Sequence, residues 1–526
     1  RESIIQCPSV ISTDNLPSVP LSACLPSLSS IVLFQMIGPI VIGIILLYIL
    51  RFYHNVRRYP KGPMPLPLIG NFHQVKPEDL HLFFEECHAK YGDIFTVWTP
   101  RPMVVIMEYE HIREALIKNG DAFLGRNHGF PECTTMVIPN GGITFAEGES
   151  WARQRKASVA ILKQFGMGGG FMENQVRQAT EAFVSHLESL SDLNHVDFRW
   201  PIQIFVANVI NKMLFNYEYD YEGSCKRLMR IADLFTYLVE DARSNPLVLF
   251  SMQYEWLEQV PIIGWRAVGK YRDIIAKMHA HIREDISECM ERFNTDDDPD
   301  CFVHAYKKMA EDDPKELNDD QLVNVCLDLF LAGMETVSTT LRWAVLYLAK
   351  HQSVQSRIRD EIRLLCPSGS ASMGDRIRLP FTSATIHEIQ RTANMIPQNI
   401  AKRTLRNVEI SGVFIPEDTL VQTQFYNVHK YGFENPEEFR PERFLSEDGN
   451  SIDKQTLDYL APFGMGKRVC AGESLARCEL FMLVTSLVTN FHVHPPVEGE
   501  IDLSPIPAVF LLPHTNLLRV IPLRKK

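Results

Sequence analysis

No Cys-x2-Cys pair occurs anywhere in this chain, although it carries eleven cysteines. A compact disulfide framework is therefore not legible, and the pattern suits a reducing compartment. The Asn-x-Ser/Thr acceptor is also missing, in keeping with a main body that never faces a lumen. Basic residues are outnumbered, 53 Lys and Arg against 64 Asp and Glu, for a net charge of −11. That balance argues against nucleic-acid binding, which calls for a basic stripe. Internal repeats are absent. Gly464-Met465-Gly466 and Gly166-Met167-Gly168 begin a G-x-G-x-x-G pattern, but Val469 and Phe171 stand where its last glycine belongs, so no nucleotide or flavin site is visible. His387-Glu388 opens an H-E-x-x-H zinc pattern that Arg391 leaves unfinished. Gly472-Glu473-Ser474-Leu475-Ala476 approaches a nucleophile elbow, but a Gly-rich loop precedes it where a strand is needed.

What is present begins with one long apolar run. Residues 31–50 (IVLFQMIGPIVIGIILLYIL) carry no charge, and about twenty such residues span a bilayer. Arg51, Arg57, Arg58 and Lys61 follow, whereas only Arg1 is basic before the run. The positive-inside rule then places the C-terminal bulk in the cytoplasm. A cleaved signal peptide competes, but the run exceeds a usual h-region and lacks an A-x-A-like site on its far side. An Arg- and Ser-rich amphipathic presequence for mitochondrial import is absent. Residues 1–30, rich in Ser, Pro and Leu, support no assignment. A first residue of Arg rather than Met implies a fragment, a processed chain or an uncertain gene start.

Residues 51–70 read as a basic and proline-rich hinge, since proline-rich segments are stiff and extended. The remaining chain, 71–526, is long enough for one large core. Asp93–Met107 alternates about Pro100-Arg101-Pro102 and reads as a hairpin. Most of 145–350 has helical periodicity. Asn245–Trp265 is apolar and broken by Pro246 and Pro261; it is either core or a second membrane-dipping surface. Short strands are expected in Val408–Gln424 and Phe491–Pro522. Asp296–Asp300 reads as a solvated acidic loop.

The chemistry concentrates in Phe463-Gly464-Met465-Gly466-Lys467-Arg468-Val469-Cys470-Ala471-Gly472. One cysteine ends a glycine-containing loop just before an apolar helix expected over Glu473–Phe491. A thiol there meets free N–H groups and the positive end of the helix dipole, which favour thiolate. Thiolate is the form that ligates iron, and glycines admit a flat macrocycle that a Cβ would obstruct. A second long helix is expected over Asn318–Lys350, with Asn318 and Gln321 as a capping-box-like start. Inside it, Gly333 and the lone carboxylate of Glu335 are both costly. Together they predict a local break with a polar task.

The Cys470 loop fills every fixed position of F-x-x-G-x-R-x-C-x-G, and so resembles the haem-binding signature of the cytochrome P-450 family, the haem-thiolate monooxygenases. Ala332-Gly333-x-Glu335-Thr336 resembles that family's A/G-G-x-D/E-T-T/S pattern, with Val337 in place of the second hydroxyl residue. Glu388-x-x-Arg391 with Arg443 of Pro441-Glu442-Arg443-Phe444 resembles its structural triad. Trp151-x-x-x-Arg155, Phe123-Leu124-Gly125-Arg126 and the surrounding glycine-rich runs resemble animal microsomal members of the second clan.

The resemblance covers roughly residues 60–520. It implies a mainly α fold with a minor β part and a single-pass N-terminal anchor in the endoplasmic reticulum membrane, catalytic domain cytoplasmic. It implies haem b (iron protoporphyrin IX) ligated by Cys470, with O2 as co-substrate. Thr336 and Glu335 would handle protons. Arg126, Trp151, Arg155 and Arg468 would hold the propionates, and Phe463 and Gly472 would pack on the cofactor. The remaining propionate contact, usually His or Arg, falls on Lys402, with Arg403 beside it. Glu388, Arg391 and Arg443 would brace the fold. A lipophilic substrate (xenobiotic, fatty acid or sterol) would meet apolar residues around Phe130–Ile138, Phe330, Ala332, Ile396–Ile400 and Ala508–Phe510, Val509 among them. Electrons would come from an NADPH-dependent cytochrome reductase, with cytochrome b5 as a further partner, through a basic patch that could include Lys467, Arg153 and Lys156. A haem-thiolate isomerase and a haem-bound carrier are the competing functions. Glu335 and Thr336 count against the first, which needs no acid–alcohol pair.

Overall fold

The computed structural model describes residues 28–75, 79–99, 101–127, 136–165, 170–222, 225–244, 246–251, 254–294, 298–366, 369–506 and 510–523. The chain divides into two units, Arg1–Arg58 and Tyr59–Lys526. In the first, helix α1 (Leu28–Val56) contains Pro39. Most of its large apolar side chains between Ile37 and Leu50 are exposed, Leu47 and Leu50 by about two thirds. From Ile37 to Val56 it is long and apolar enough to cross a membrane.

The second unit opens with α2 (Leu80–Tyr91), then strands β1 (Ile94–Thr99) and β2 (Arg101–Ile106). They form the expected hairpin, in register Thr99↔Arg101 and Trp98↔Pro102. Arg101 and Pro102 therefore belong to the strand rather than to the turn. Next come α3 (Tyr109–Arg113), α4 (Gly148–Gln164), α5 (Gly170–Ser189), β3 (Val196–Asp197), α6 (Arg199–Phe215), α7 (Lys226–Ser244) and α8 (Pro246–Ser251). Then follow α9 (Lys270–Met290), α10 (Phe302–Ala310), α11 (Asp319–Lys350), α12 (Gln352–Leu365) and α13 (Pro380–Ala393). The rest alternates: β4 (Lys402–Arg403), β5 (Val408–Ile410), β6 (Val413–Ile415), β7 (Leu420–Thr423), α14 (Phe425–Tyr431), α15 (Lys454–Asp458), α16 (Glu473–Asn490), β8 (Phe491–His494), β9 (Pro505–Ile506), β10 (Leu512–Pro513) and β11 (Leu517–Pro522). The strands assemble as β1-β2-β7-β4, β3-β11-β8, β5-β6 and β10-β9. In the largest sheet β7 runs parallel to β2, Met103 opposite Leu420.

The main core gathers around α6, α11 and α16. Helices α6 and α16 are buried nearly all round, the signature of helices enclosed within a large protein. Although α11 is apolar enough to pass for a membrane span, most of it is buried inside the protein, so it is a core helix. Asn318 Oδ1 accepts the Gln321 N–H at 3.0 Å, as its sequence predicts. The helix is continuous from Asp319 to Lys350, so the expected break at Gly333 does not occur. A Cβ on Gly333 would instead lie 2.8 Å from Ile210 Cδ1 of α6. The glycine serves close helix packing.

Within Asn245–Trp265 the described side chains differ in burial. Val248 is buried, whereas Trp256, Ile262 and Trp265 are each at least 60% exposed.

Candidate active site

The Cys470 loop is shaped by two glycines in the left-handed region, Gly464 (φ 71°) and Gly466 (φ 78°). A Cβ on Gly466 would press to within 2.3 Å of the Leu116 carbonyl, while one on Gly464 or Gly472 would meet nothing within 4 Å. The loop closes on itself through Cys470 N–H to Phe463 O (3.0 Å) and Gly464 N–H to Ala461 O (3.0 Å). Phe463 lies under the Arg477 guanidinium, 4.8 Å from its ring centre. Among the eight described cysteines, seven are buried and Cys470 is exposed. It opens on one side and is enclosed by protein on the others. Burial raises its thiol pKa, the Gly472 N–H and Arg155 lower it, and Glu473 raises it again. The helix terminus and Arg155 thus act in the expected direction, against burial and Glu473. An iron ion at Cys470 would decide the balance, since a coordinating thiol is deprotonated outright.

Four cationic side chains converge beside this loop. Gly125 exchanges backbone hydrogen bonds with Arg403 at 3.1 and 2.9 Å. A Cβ there would meet Arg403 O at 2.7 Å, so glycine is what lets the Arg126 and Lys402 chains run side by side. Arg126 donates Nε to Thr144 O (3.0 Å) and Nη1 to Ala401 O (3.3 Å). Arg468 donates to Leu124 O (2.6 Å) and Ala146 O (2.7 Å), and stacks 3.9 Å from the Trp151 ring centre. Arg155, one helical turn after Trp151 on α4, donates to Val469 O at 2.6 Å. Lys402 is buried, with Thr423 Oγ1 3.4 Å away. Burial first, then Arg126 and Arg468, push its ammonium down to about 7. Burial, Arg126 and Arg155 bring Arg468 down to about 9. Arg403 pairs with Glu147 (2.6 Å) and Asp418 (2.9 Å) and donates Nε to Arg126 O at 2.9 Å, so carboxylates meet its charge, whereas the charges that act on Lys402 are those of Arg126 and Arg468.

A ligand carrying two carboxylates beside a flat metallated ring fits these residues. The cations depress one another and would be relieved by anions. The buried Trp151 indole N–H has no hydrogen-bond partner and needs an acceptor. Glycines 464 and 472 leave room beside Cys470, the one accessible thiol among the described residues.

On α11, Thr336 Oγ1 donates to Ala332 O at 2.7 Å. Glu335 turns toward α6, where Gln203 Nε2 donates to it at 3.4 Å. Burial raises its carboxyl pKa against the pull of Arg342, Arg199 and Gln203. Ala332 is exposed, whereas Phe330, placed by sequence with the substrate contacts, is buried in the core. Ile396 is half-buried, Ile400 exposed, and Phe510 stacks on Phe235 at 6.4 Å. Val509 and residues 130–135 lie outside the described residues.

Glu388 on α13 is fully buried. It accepts from Arg391 Nε (2.8 Å) and Nη2 (3.0 Å), Arg443 Nε (3.0 Å) and the Arg440 N–H (2.8 Å). Arg391 continues to His429 O at 3.2 Å. His429, unnoticed in the sequence, lies 3.0 Å from Asn394 Oδ1 through Nδ1 and accepts the Ala461 N–H through Nε2 at 3.0 Å. Burial and Arg391 push it down to about 3, so it stays neutral and its Nε2 lone pair stays available. The brace thereby reaches the residue whose carbonyl starts the Cys470 loop.

A second group also escaped sequence reasoning. Gln321, Asn324 and Asp328 share one face of α11 and accept backbone N–H groups from the 137–144 segment: Gly142 (2.9 Å), Val137 (2.5 Å), and Ile143 and Thr144 (2.7 and 3.0 Å) respectively. Their 3- and 4-residue spacing in an apolar helix was the available signal.

The family model for cytochrome P-450 matches residues 60–519. The chain belongs to the cytochrome P-450 family. Cytochrome P-450 2H2 of Gallus gallus is 34% identical over 459 residues, 85% of this chain and 90% of its own length. Cytochrome P-450 2C14 of Oryctolagus cuniculus is 32% identical over 474 residues, 88% and 94% of the two chains. Cytochrome P-450 2F2 of Rattus norvegicus is 34% identical over 457 residues, with 85% and 90% covered. This P-450 is accordingly a haem-thiolate monooxygenase by family. Of the surface cations set against a redox partner, Lys467 pairs with Asp121, and Arg153 with Glu149 and Asp313. Lys156 is exposed.

Proposed function

We propose that this P-450 inserts one atom of O2 into a lipophilic small molecule, reducing the other to water with electrons from an NADPH-dependent reductase, at a haem held over Cys470. The convergence of Arg126, Arg155, Lys402 and Arg468 beside Cys470, the one accessible cysteine among the described residues, carries the reading. Cys470 would ligate the iron, while the four cations and the Trp151 N–H would take the two propionates. The haem, bound through its iron to thiolate, supplies O2 binding and activation. The chain's own groups do the rest. Glu335, its carboxyl raised by burial, holds a proton at a pH where an exposed Glu has lost it. Thr336 Oγ1 keeps its hydroxyl at the start of the next helical turn, one residue along the same helix. Glu388, Arg391, Arg443 and His429 fix the Cys470 loop.

The mostly apolar surroundings (Ala332, Ile396, Ile400, Phe510) support a lipophilic substrate and do not select among xenobiotics, fatty acids and sterols. Helix α1 supports anchoring in the endoplasmic reticulum membrane with residues 59–526 cytoplasmic, and exposed Trp256, Ile262 and Trp265 support a second contact with lipid.

The test is a titration of the haem-loaded protein with fatty acids, sterols and drugs, reading the ferric spin state by absorbance. A low- to high-spin shift with one class identifies the substrate class. In parallel, Cys470→Ser should lose the thiolate-haem spectrum; folded variant with that spectrum intact would sink the ligand assignment.

A further inference from the structure

Away from the haem face, where α9 hands over to α10, three metal-binding side chains meet in the core. Cys289 is the penultimate residue of α9, Cys301 caps α10 and His304 lies in its first turn. All three are buried, at 1%, 0% and 3% exposure. Cys289 Sγ lies 3.4 Å from Cys301 Sγ and 3.2 Å from His304 Nε2, and the three donor atoms are mutually within 4.8 Å. In the protein alone, His304 Nε2 also lies 3.2 Å from the Cys289 carbonyl oxygen.

The imidazole is fixed from outside. Its Nδ1 is 2.5 Å from Asp300 Oδ1, a short contact not aligned as a good hydrogen bond. The other Asp300 oxygen accepts Asn216 Nδ2 at 2.7 Å. The Phe293 ring stacks on the imidazole, 4.0 Å between centres and 15° from parallel. A carboxylate behind the far nitrogen is the arrangement that orients metal-ligating histidines and raises their basicity.

We propose that Cys289, Cys301 and His304 form a structural zinc site through Sγ, Sγ and Nε2. The chemistry selects the metal class. Two thiolates and a neutral imidazole exactly offset a divalent ion's charge, so the assembled site is neutral, as a dry core requires. Soft sulfur with imidazole suits zinc. With Zn–S near 2.3 Å, tetrahedral geometry sets the sulfurs about 3.7 Å apart, so the pair need open by only a few tenths of an ångström. Binding releases two thiol protons to solvent. The site would pin the α9–α10 joint to the core, apart from the monooxygenase chemistry.

The experiment measures zinc per haem in the full-length, haem-loaded protein, prepared under reducing conditions with added zinc and dialysed against a weak chelator. Stoichiometric zinc in the wild type, lost in the Cys289→Ser/Cys301→Ser variant with the thiolate-haem spectrum kept, is expected. If that variant does not fold, X-ray absorption at the zinc edge of the folded wild-type protein should show two sulfurs near 2.3 Å and a nitrogen near 2.0–2.1 Å, and a shell without sulfur overturns the proposal. Wild-type protein without zinc after this treatment overturns the proposal, as does a Cys289–Cys301 disulfide found by peptide mass in the reduced preparation.

Discussion

Gly333→Ala tests whether the glycine beside the acid–alcohol pair is there for packing. On propensity alone the change should stabilise α11 by about 1 kcal/mol. The added Cβ, however, would sit 2.8 Å from Ile210 Cδ1 and 3.3 Å from its Cγ1. Ile210 is itself buried in α6, so its tip cannot swing into solvent. Overpacking of this kind costs about 1–3 kcal/mol, leaving a net loss of up to about 2 kcal/mol. Ile210→Val removes the colliding methyl and alone should cost about 0.5–1.5 kcal/mol. Combined, the two changes should couple favourably by about 1–3 kcal/mol, because the lost methyl makes room for the new one. The assay is thermal loss of the thiolate-haem absorbance at a fixed scan rate for all four proteins, where 1 kcal/mol corresponds to about 2 °C or less at this chain size. A Gly333→Ala protein with a raised midpoint, additive with Ile210→Val, would refute the packing account.

Thr336→Ala should uncouple NADPH oxidation from product and release peroxide; preserved coupling, read as product per NADPH, would remove the hydroxyl from the proposed proton path. Glu388→Gln leaves buried Arg391 and Arg443 without their counter-charge, a loss of about 3–5 kcal/mol, and should abolish recovery of haem-loaded protein, as read by its absorbance. Lys402→Met addresses pH. The ammonium, brought to about 7 in the fold, keeps its proton to about pH 10.4 in the unfolded chain. The unfolded state therefore binds more protons between those values, and haem-free stability should rise with pH across that window. Denaturant midpoints should show this rise flattened by Lys402→Met, and also by bound haem if Lys402 pairs with a propionate.

The elements legible in the sequence are those set by local pattern. Asn318 announces the start of α11, and the charge-free run within α1 announces itself by composition. Cys470, Glu388, Arg391 and Arg443 were identifiable because their spacings are fixed by one loop or one helical turn. Gly333 was misread because a glycine's cost is local while its reason, Ile210, stands over a hundred residues away. At Cys470 the helix terminus that favours thiolate can be seen in the sequence, whereas the burial that opposes it cannot. His429 gave no signal: a lone histidine shows neither the Ala461 N–H it accepts nor the Asn394 side chain that sets its ring. Lys402 and Arg403 are adjacent in the sequence and only packing separates their roles: Lys402 is buried near the charges of Arg126 and Arg468, while Arg403 pairs with Glu147 and Asp418.

Gln321, Asn324 and Asp328 hold the 137–144 segment on the same helix that carries Glu335 and Thr336 a few residues on. Each residue of an α-helix turns it by about 100°. A single insertion or deletion between Asp328 and Glu335 would therefore swing the acid and alcohol out of phase with the segment clamped upstream. Variation in this stretch should be confined to exchanging side chains at constant length, and relatives that diverge in substrate should keep the Asp328–Thr336 interval while differing in the loops on either side.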